Sequence, residues 1–451
     1  MFFSKLLCFL FFIYSVKCQY SVPALTLEAL KKGGFRVYIP DLNGTALFAF
    51  HANVNDNIRA QHPGTLNDET KTPKNGFWIL EFDYKLKIGD VVNYWVFVNA
   101  NHLGYMKDGE PIKIQRLLDS YTTLRGRCQP STTTLNGGKS SCVDDEIIYD
   151  NFNKAVIDTN IWKIEHRIPT YTDPNFPFNS YENIDETRFI RDNQLHIKPI
   201  AVSESEVRGI LNLREGCTGT RSEECFYEQR SSFFLPPVKS AKIVSKTSFK
   251  YGKVEIQARL PKGDWIIPVL QLEPVDKSGN PSNIWIAYSR GNTHLYKNDP
   301  SSMNMRSLTD DDMGSHLLLA GPVLEVAEPE RSKHLVRKLG NKPFYEETHN
   351  YALEWTKDSL RFLVDSQEYG STDLKAMPDD FNKEYVLSIG VAVGGIYDFP
   401  DDTNSGVFAK PWSNADRNYI KRFFEAKSTW ITTWEAEKCF LVVDFVRVKA
   451  I

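Results

Sequence analysis

The sequence predicts an all-β chain built as two sandwiches, a small one of immunoglobulin type followed by a larger jelly roll. Apolar residues recur at every second position in short runs, and Pro, Gly, Asn and Asp close those runs from Phe35 to the C-terminus. Helical periodicity is convincing only around Asn418–Lys427. With 41% hydrophobic and 25% charged residues the chain has globular composition, which excludes a disordered or low-complexity protein. Lys and Arg total 54 against 57 Asp and Glu, a net charge of −3 that gives no global drive toward nucleic acid.

The first eighteen residues, MFFSKLLCFLFFIYSVKC, set the compartment. Lys5 precedes an apolar run from Leu6 to Tyr14, and small residues follow at Ser15 and Cys18. A run this short falls below the ~20 residues that span a bilayer. We therefore expect residues 1–18 to be a cleaved secretory signal and the protein to be extracellular. No later segment has the length and polarity of a membrane span, and the C-terminal FLVVDFVRVKAI reads as a charged strand, so no membrane anchor is expected.

Residues 19–120 read as the small sandwich. Phe35–Ile39 is a strand closed by the turn Pro40–Gly44, and Leu47–Phe50 follows. A polar loop runs through Pro63-Gly64. Gly76–Tyr84 alternates, Lys87–Asp90 turns, and Val91–Val98 is another strand. Asn43-Gly44-Thr45 is a glycan acceptor, whereas Asn280-Pro281-Ser282 is spoiled by its proline. Residues 121–145, with RGRCQPSTTTLNGGKSSC, are rich in Ser, Thr and Gly and read as a linker. From residue 146 to 451 the β pattern returns, long enough for a jelly roll.

Secretion decides how the cysteines read. Cys8 and Cys18 leave with the signal. In an oxidising compartment the close spacings invite bridges Cys128–Cys142 and Cys217–Cys225, which leaves Cys439 as a buried thiol ahead of the strand Phe440–Val443. Nothing in the spacing of the seven Cys and nine His resembles a zinc ribbon, and neither a metal nor another cofactor is expected.

Several stretches together carry a family resemblance. Residues 245–265, SKTSFKYGKVEIQARLPKGDW, followed by Pro268, then Tyr351–Trp355, Val391–Gly395, Lys410–Trp412 and Val442–Val448, resemble glycoside hydrolase family 16 in motif and order. The first hundred residues, from Tyr20-Ser-Val-Pro23 through Phe48–His51, Pro73–Gly76 and Tyr94-Trp95, resemble the glucan-binding module of insect β-1,3-glucan recognition proteins, also called Gram-negative bacteria-binding proteins. The resemblance implies a concanavalin-like jelly roll for residues 146–451 and a β-1,3-glucan-binding module for residues 19–120.

It also fixes a register for the catalytic strand. Hydrolysing members read Ser-Gly-Glu-Ile-Asp-Ile-Met-Glu-Ser-Arg-Gly-Asn, where this chain reads Pro281-Ser-Asn-Ile-Trp-Ile-Ala-Tyr-Ser-Arg-Gly-Asn292. The nucleophile falls on Asn283, the supporting Asp on Trp285 and the acid/base on Tyr288. A retaining glycosidase needs one carboxylate to attack and one carboxylic acid ~5–5.5 Å away to protonate the leaving oxygen. An amide does not replace the nucleophile, and a phenol with pKa near ~10 has no glycosyl-enzyme to serve. No catalytic residue is therefore expected, and residues 146–451 read as a pseudoenzyme. Glu325-x-x-Glu328 imitates a carboxylate pair but lacks the flanks. Two further cleft Trp positions are Ile267 and Gln271, and the family's His-Trp is Leu319-Ala320, so stacking surfaces are lost as well.

Sugar binding then falls to the first module. The residue types that grip a polysaccharide, an aromatic platform with polar groups beside it, are offered there by Trp78, Tyr94, Trp95, Asp41, Lys87 and Asp90. Alternation leaves Trp78 and Trp95 as able to face the core as the solvent. The basic run Arg331–Lys338 reads as a solvated loop or an anion-binding patch. The resemblance implies a secreted pattern-recognition protein that binds β-1,3-glucan and other microbial cell-wall polysaccharides and triggers serine proteases of the prophenoloxidase or Toll cascades without hydrolysis. The competing readings are a secreted protein-interaction protein that has lost sugar binding, and an active endo-β-1,3-glucanase.

Overall fold

The computed structural model describes residues 20–451 except 43, 123, 125–128, 172, 230–232, 277–281, 298–311, 376 and 378–380. The signal segment, Asn43 and Cys128 lie outside the described residues. The chain divides into two compact units, Met1–Cys128 and Gln129–Ile451.

The first unit is an antiparallel sandwich. One sheet holds Thr26–Ala29, Phe35–Pro40 and Phe77–Phe82. The other runs in the order Leu66–Thr70, Thr45–Val54, Val91–Ala100 and Leu103–Asp108, with Ile112–Lys113 also paired to Val91–Ala100. Phe35, Ile39, Phe48, Phe50, Trp78 and Val98 close the core between them. This is the immunoglobulin-like layer arrangement that the alternation predicts.

The second unit packs a ten-stranded sheet on an eight-stranded one. Strands of the eight-stranded sheet alternate as expected for one face on a core: Gly252–Arg259 is buried at every second position. The ten-stranded sheet behaves differently. Its strands Ile266–Pro274, Asn283–Tyr288 and Leu317–Val323 are buried at every position, and Tyr385–Val393 at all but one. A strand buried on both faces has a layer on each side, so something covers the face turned away from the partner sheet. Tyr419–Glu425 and Lys427–Trp430 are helical where the periodicity predicts a helix.

The supposed linker, residues 121–145, is corrected over its second half. Pro130–Leu135 and Lys139–Cys142 form a hairpin, and Pro130–Leu135 pairs with Phe249–Lys250, so the hairpin is the edge of the ten-stranded sheet. The reason is local: the Thr132-Thr-Thr134 run is β-branched and favours a strand. Asn136-Gly137-Gly138 supplies the positive φ angles of the turn, and the Glu384 carboxylate accepts the Gly137 and Gly138 N–H groups at 2.8 and 2.9 Å. Polar composition alone does not separate a flexible linker from a threonine strand.

Cys217 and Cys225 are disulfide-bonded as expected. Cys142 is disulfide-bonded as well. Cys439 is a buried free thiol whose pKa burial pushes up to about 11, so it is protonated and unreactive at neutral pH.

Candidate functional site

The six residues nominated for glucan contact fall in different places. Trp78 is 2% exposed, and its indole N–H donates to Asp41 Oδ1 at 2.6 Å. That pair ties the Pro40–Leu42 turn to the core and presents no ring to solvent, which corrects the reading of Trp78 as a platform. Lys87 and Asp90 build a turn: Asp90 Oδ2 accepts the Lys87 backbone N–H at 2.8 Å, and Oδ1 accepts from Asn55 Nδ2 at 3.0 Å. These bonds, that from Asn55 first, hold the Asp90 carboxyl below its ordinary pKa. Tyr94 points inward and stacks on Phe50 with ring centroids 5.6 Å apart. Trp95 points outward but is 7% exposed, because the loop through His62 and Pro63 covers it. Its indole N–H donates to the His62 carbonyl at 2.7 Å, and His51 stacks on it at 4.0 Å. Trp95 is therefore no platform either. The apolar side chains left open on that outward side include Phe97 and Met106, which the sequence reading missed. Their signal was present: TALFAFHANV and VVNYWVFVNA carry apolar residues on both faces of their strands.

The second unit carries the three positions to which the resemblance assigns the catalytic roles. Asn283, Trp285 and Tyr288 share the strand Asn283–Tyr288, and a break in its pairing with Leu317–Val323 lies between Trp285 and Tyr288. All three are buried, at 6%, 3% and 3% exposure. Trp285 and Tyr288 stack with centroids 4.1 Å apart. The Tyr288 hydroxyl donates to Asp398 Oδ1 at 3.3 Å, and burial drives its phenol to a still weaker acid. Arg331 lies over Trp285 at 5.1 Å and donates to Asp398 Oδ1 at 2.7 Å and Asn175 Oδ1 at 3.1 Å. The basic run is thereby corrected at its first residue, because Arg331 is 2% exposed and committed. Burial raises the Asp398 carboxyl despite the Arg331 and Arg290 cations beside it.

The covering layer continues along the strand. Gln271 pairs directly with Trp285 and therefore shares its face. Its Nε2 donates to Glu273 Oε1 at 3.1 Å, and Lys242 Nζ bridges that same oxygen at 2.9 Å to Glu165 at 3.3 Å. Arg167 then binds Glu165, Asp173 and Glu224, the residue before Cys225. Glu165 and Glu273 are acids that the sequence reading missed, yet both are buried and held by Lys242, so neither reaches a substrate. On the other flank a methyl on Gly321, whose φ is +137°, would stand 2.8 Å from the His334 carbonyl oxygen. That carbonyl belongs to the chain leading into Val336–Leu339, which pairs antiparallel with Leu317–Val323 as the next strand of the sheet. Glu325 and Glu328 are exposed on the segment that leads from Leu317–Val323 to Arg331. Ile267 is buried on the sheet and Trp265 is 1% exposed, packed edge-on to Trp412 at 5.0 Å.

The motif flanks survive for structural reasons. Asn292 Oδ1 accepts the Trp265 N–H at 3.1 Å, and its Nδ2 donates to Ser405 Oγ at 2.9 Å, which in turn donates to Asp264 Oδ1 at 2.7 Å. Burial pushes the Asp264 carboxyl up to about 6, against 3.8 for an ordinary Asp. A raised carboxyl contributes stability that is complete below about 4 and lost as pH rises through about 6, roughly 3 kcal/mol over the interval. Asp264→Asn should therefore flatten the fall in unfolding free energy between about pH 4 and 7, followed by denaturant titration. Parallel pH profiles for the two proteins would show that Asp264 does not titrate there.

Among the described residues no cluster of His, Cys, Asp and Glu could hold a metal ion, and no helix is long and apolar enough to cross a membrane. The family profile CBM39, a carbohydrate binding domain (family 32), matches residues 21–136. Beta-1,3-glucan-binding protein 1 of Manduca sexta is 31% identical, with 98% of this chain and 98% of that protein covered. Gram-negative bacteria-binding protein 1 of Drosophila melanogaster is 29% identical, with 96% of each chain covered. Among solved structures, the laminarinase from Rhodothermus marinus is similar at 17% identity and a TM-score of 0.43, over 68% of this chain and 97% of that one.

Proposed function

The chain belongs to the insect β-1,3-glucan-binding and Gram-negative bacteria-binding protein family, and from that premise we propose that it recognises microbial β-1,3-glucan without cutting it. In this reading it is a secreted sensor: the first unit takes the polysaccharide, and glucan binding engages downstream serine proteases. One observation carries the non-hydrolytic half. The strand that would present the carboxylates has Asn283, Trp285 and Tyr288 in their places, and a layer pinned by Arg331 and Asp398 covers it. A polysaccharide reaches a scissile position only along an open groove, and that face is not open. The match of a carbohydrate-binding profile to residues 21–136 supports the glucan half.

The dispersal of the six nominated residues favours a second reading, a secreted interaction protein that no longer binds sugar. Co-sedimentation of the full chain with curdlan separates the two. Retention in the pellet, competed by soluble laminarin, is the expected outcome. A protein that stays in the supernatant at every curdlan load would support the second reading.

A further inference from the structure

We propose that the glucan lies on the outward face of the sheet containing Val91–Ala100, with Phe97 and Met106 as its platform. This rests on the glucan-binding reading above and names the surface for it.

Residues directly opposite one another in a sheet share a face. Ala49 pairs with Glu69 and Phe97, His51 with Asn67 and Trp95, Phe97 with Met106, Asn99 with Gly104 and Trp95 with Asp108. The alternate set, Phe48, Phe50, Val96 and Val98, is the core. The outward side of a two-layer sandwich is ordinarily polar, yet this one carries Ala49, Trp95, Phe97 and Met106. At one end the loop through His62 and Pro63 covers the apolar surface. Trp95 is buried there, and His51 Nδ1 lies 3.3 Å from the Pro63 carbonyl oxygen. The other end has no such cover. Met106 is 46% exposed, and Phe97 is only half-buried.

Gly104 shapes that open end. A methyl there would stand 2.8 and 2.9 Å from two atoms of the Phe97 ring. The missing side chain therefore lets the ring lie across the edge strand Leu103–Asp108. A ring laid along a sheet covers the apolar C–H face of a pyranose with little entropy to lose. Its neighbours suit the hydroxyls: Asn99 beyond one end of the Phe97–Met106 pair, Asp108 beyond the other, and Asn67 and Glu69 across the strand Thr45–Val54. The outward cation Lys113, opposite Val91, stands at the covered end of the face, six residues along the strand from Phe97, and no Lys or Arg pairs with the outward positions around Phe97 and Met106, which disfavours a phosphate or other anion there and fits a neutral polyol. The occupant is accordingly a β-1,3-linked glucan chain; a protein partner is the competing occupant.

The test is made on the full chain carrying Phe97→Ala and Met106→Ala together. Leu103→Ala serves as the control: Leu103 is 61% exposed on the same strand but points to the opposite side. Curdlan retention and laminarin titration should weaken at least about tenfold in the double variant and stay within about twofold in the control. A double variant that binds within twofold of the natural protein would overturn this surface and leave glucan recognition standing. A natural protein that binds no glucan would overturn both. Methyl NMR on the unmutated chain reads the same contact without any variant. With the methionines carbon-13 labelled, the Met106 methyl signal should move on adding laminarihexaose. A Met106 signal that stays still while the protein demonstrably binds would count against the platform.

Discussion

Laminarin incubated with the purified protein between about pH 4 and 8 should release no reducing sugar above a protein-free blank. Each position to which the resemblance assigns a chemical role carries another group: Asn283 cannot form a glycosyl ester, Trp285 supports no charge, and Tyr288 is a buried phenol weakened further as an acid. Restoring the acids should not restore the reaction. In Asn283→Glu, Trp285→Asp, Tyr288→Glu the carboxylates would sit beneath a layer that admits no substrate. The exchange would also remove the stacked Trp285–Tyr288 pair on which Arg331 rests. Unpaired buried carboxylates cost several kcal/mol each or take up protons instead. The triple variant should therefore be inactive and unfold at much lower denaturant concentration than the natural protein. Product release by the natural protein that survives repurification, or turnover by a folded triple variant, would show that the cleft is open.

The second large effect concerns the Arg331–Asp398 pair. Arg331→Ala should destabilise the second unit by about 3–5 kcal/mol, the usual consequence of leaving one member of a buried ion pair alone. Asp398 is already raised by burial, so without Arg331 its carboxyl should protonate within the accessible pH range. A folded-state pKa above the unfolded one means stability lost as pH rises through it. The deficit of Arg331→Ala should accordingly be larger near pH 7.5 than near pH 5. Removing both partners with Arg331→Ala, Asp398→Ala should cost less than Arg331→Ala alone at the higher pH. Equal, pH-independent losses in the single and double variants would mean that the pair does not pin the covering layer.

Most of the architecture was legible because its causes are local. Period-two runs such as Phe35–Ile39 and Val91–Val98, the Pro40–Gly44 and Lys87–Asp90 turns, and the Ser-Arg-Gly-Asn flank each specify a strand, a turn or a register within a few residues. The 121–145 stretch failed on composition, since a threonine hairpin and a flexible linker share the same polar residues. The site failed for a different reason. Whether Trp78 meets solvent depends on Asp41, thirty-seven residues away. Arg331 in a basic surface-like run is committed to Asp398, sixty-seven residues away, and Arg167 to Glu224, fifty-seven away. Burial of a charged or aromatic side chain is a property of such distant partners, and one sequence does not display them. The residues at the three expected catalytic positions were readable; the side chains packed over them were not.

The central claim is that glucan recognition belongs to the first unit while the second holds a closed catalytic face. Curdlan co-sedimentation of residues 20–128 and residues 129–451, prepared separately, tests it most directly. The first fragment should be retained with most of the affinity of the full chain, and the second should remain in the supernatant. Equal retention of both, or retention of the second alone, would contradict the claim.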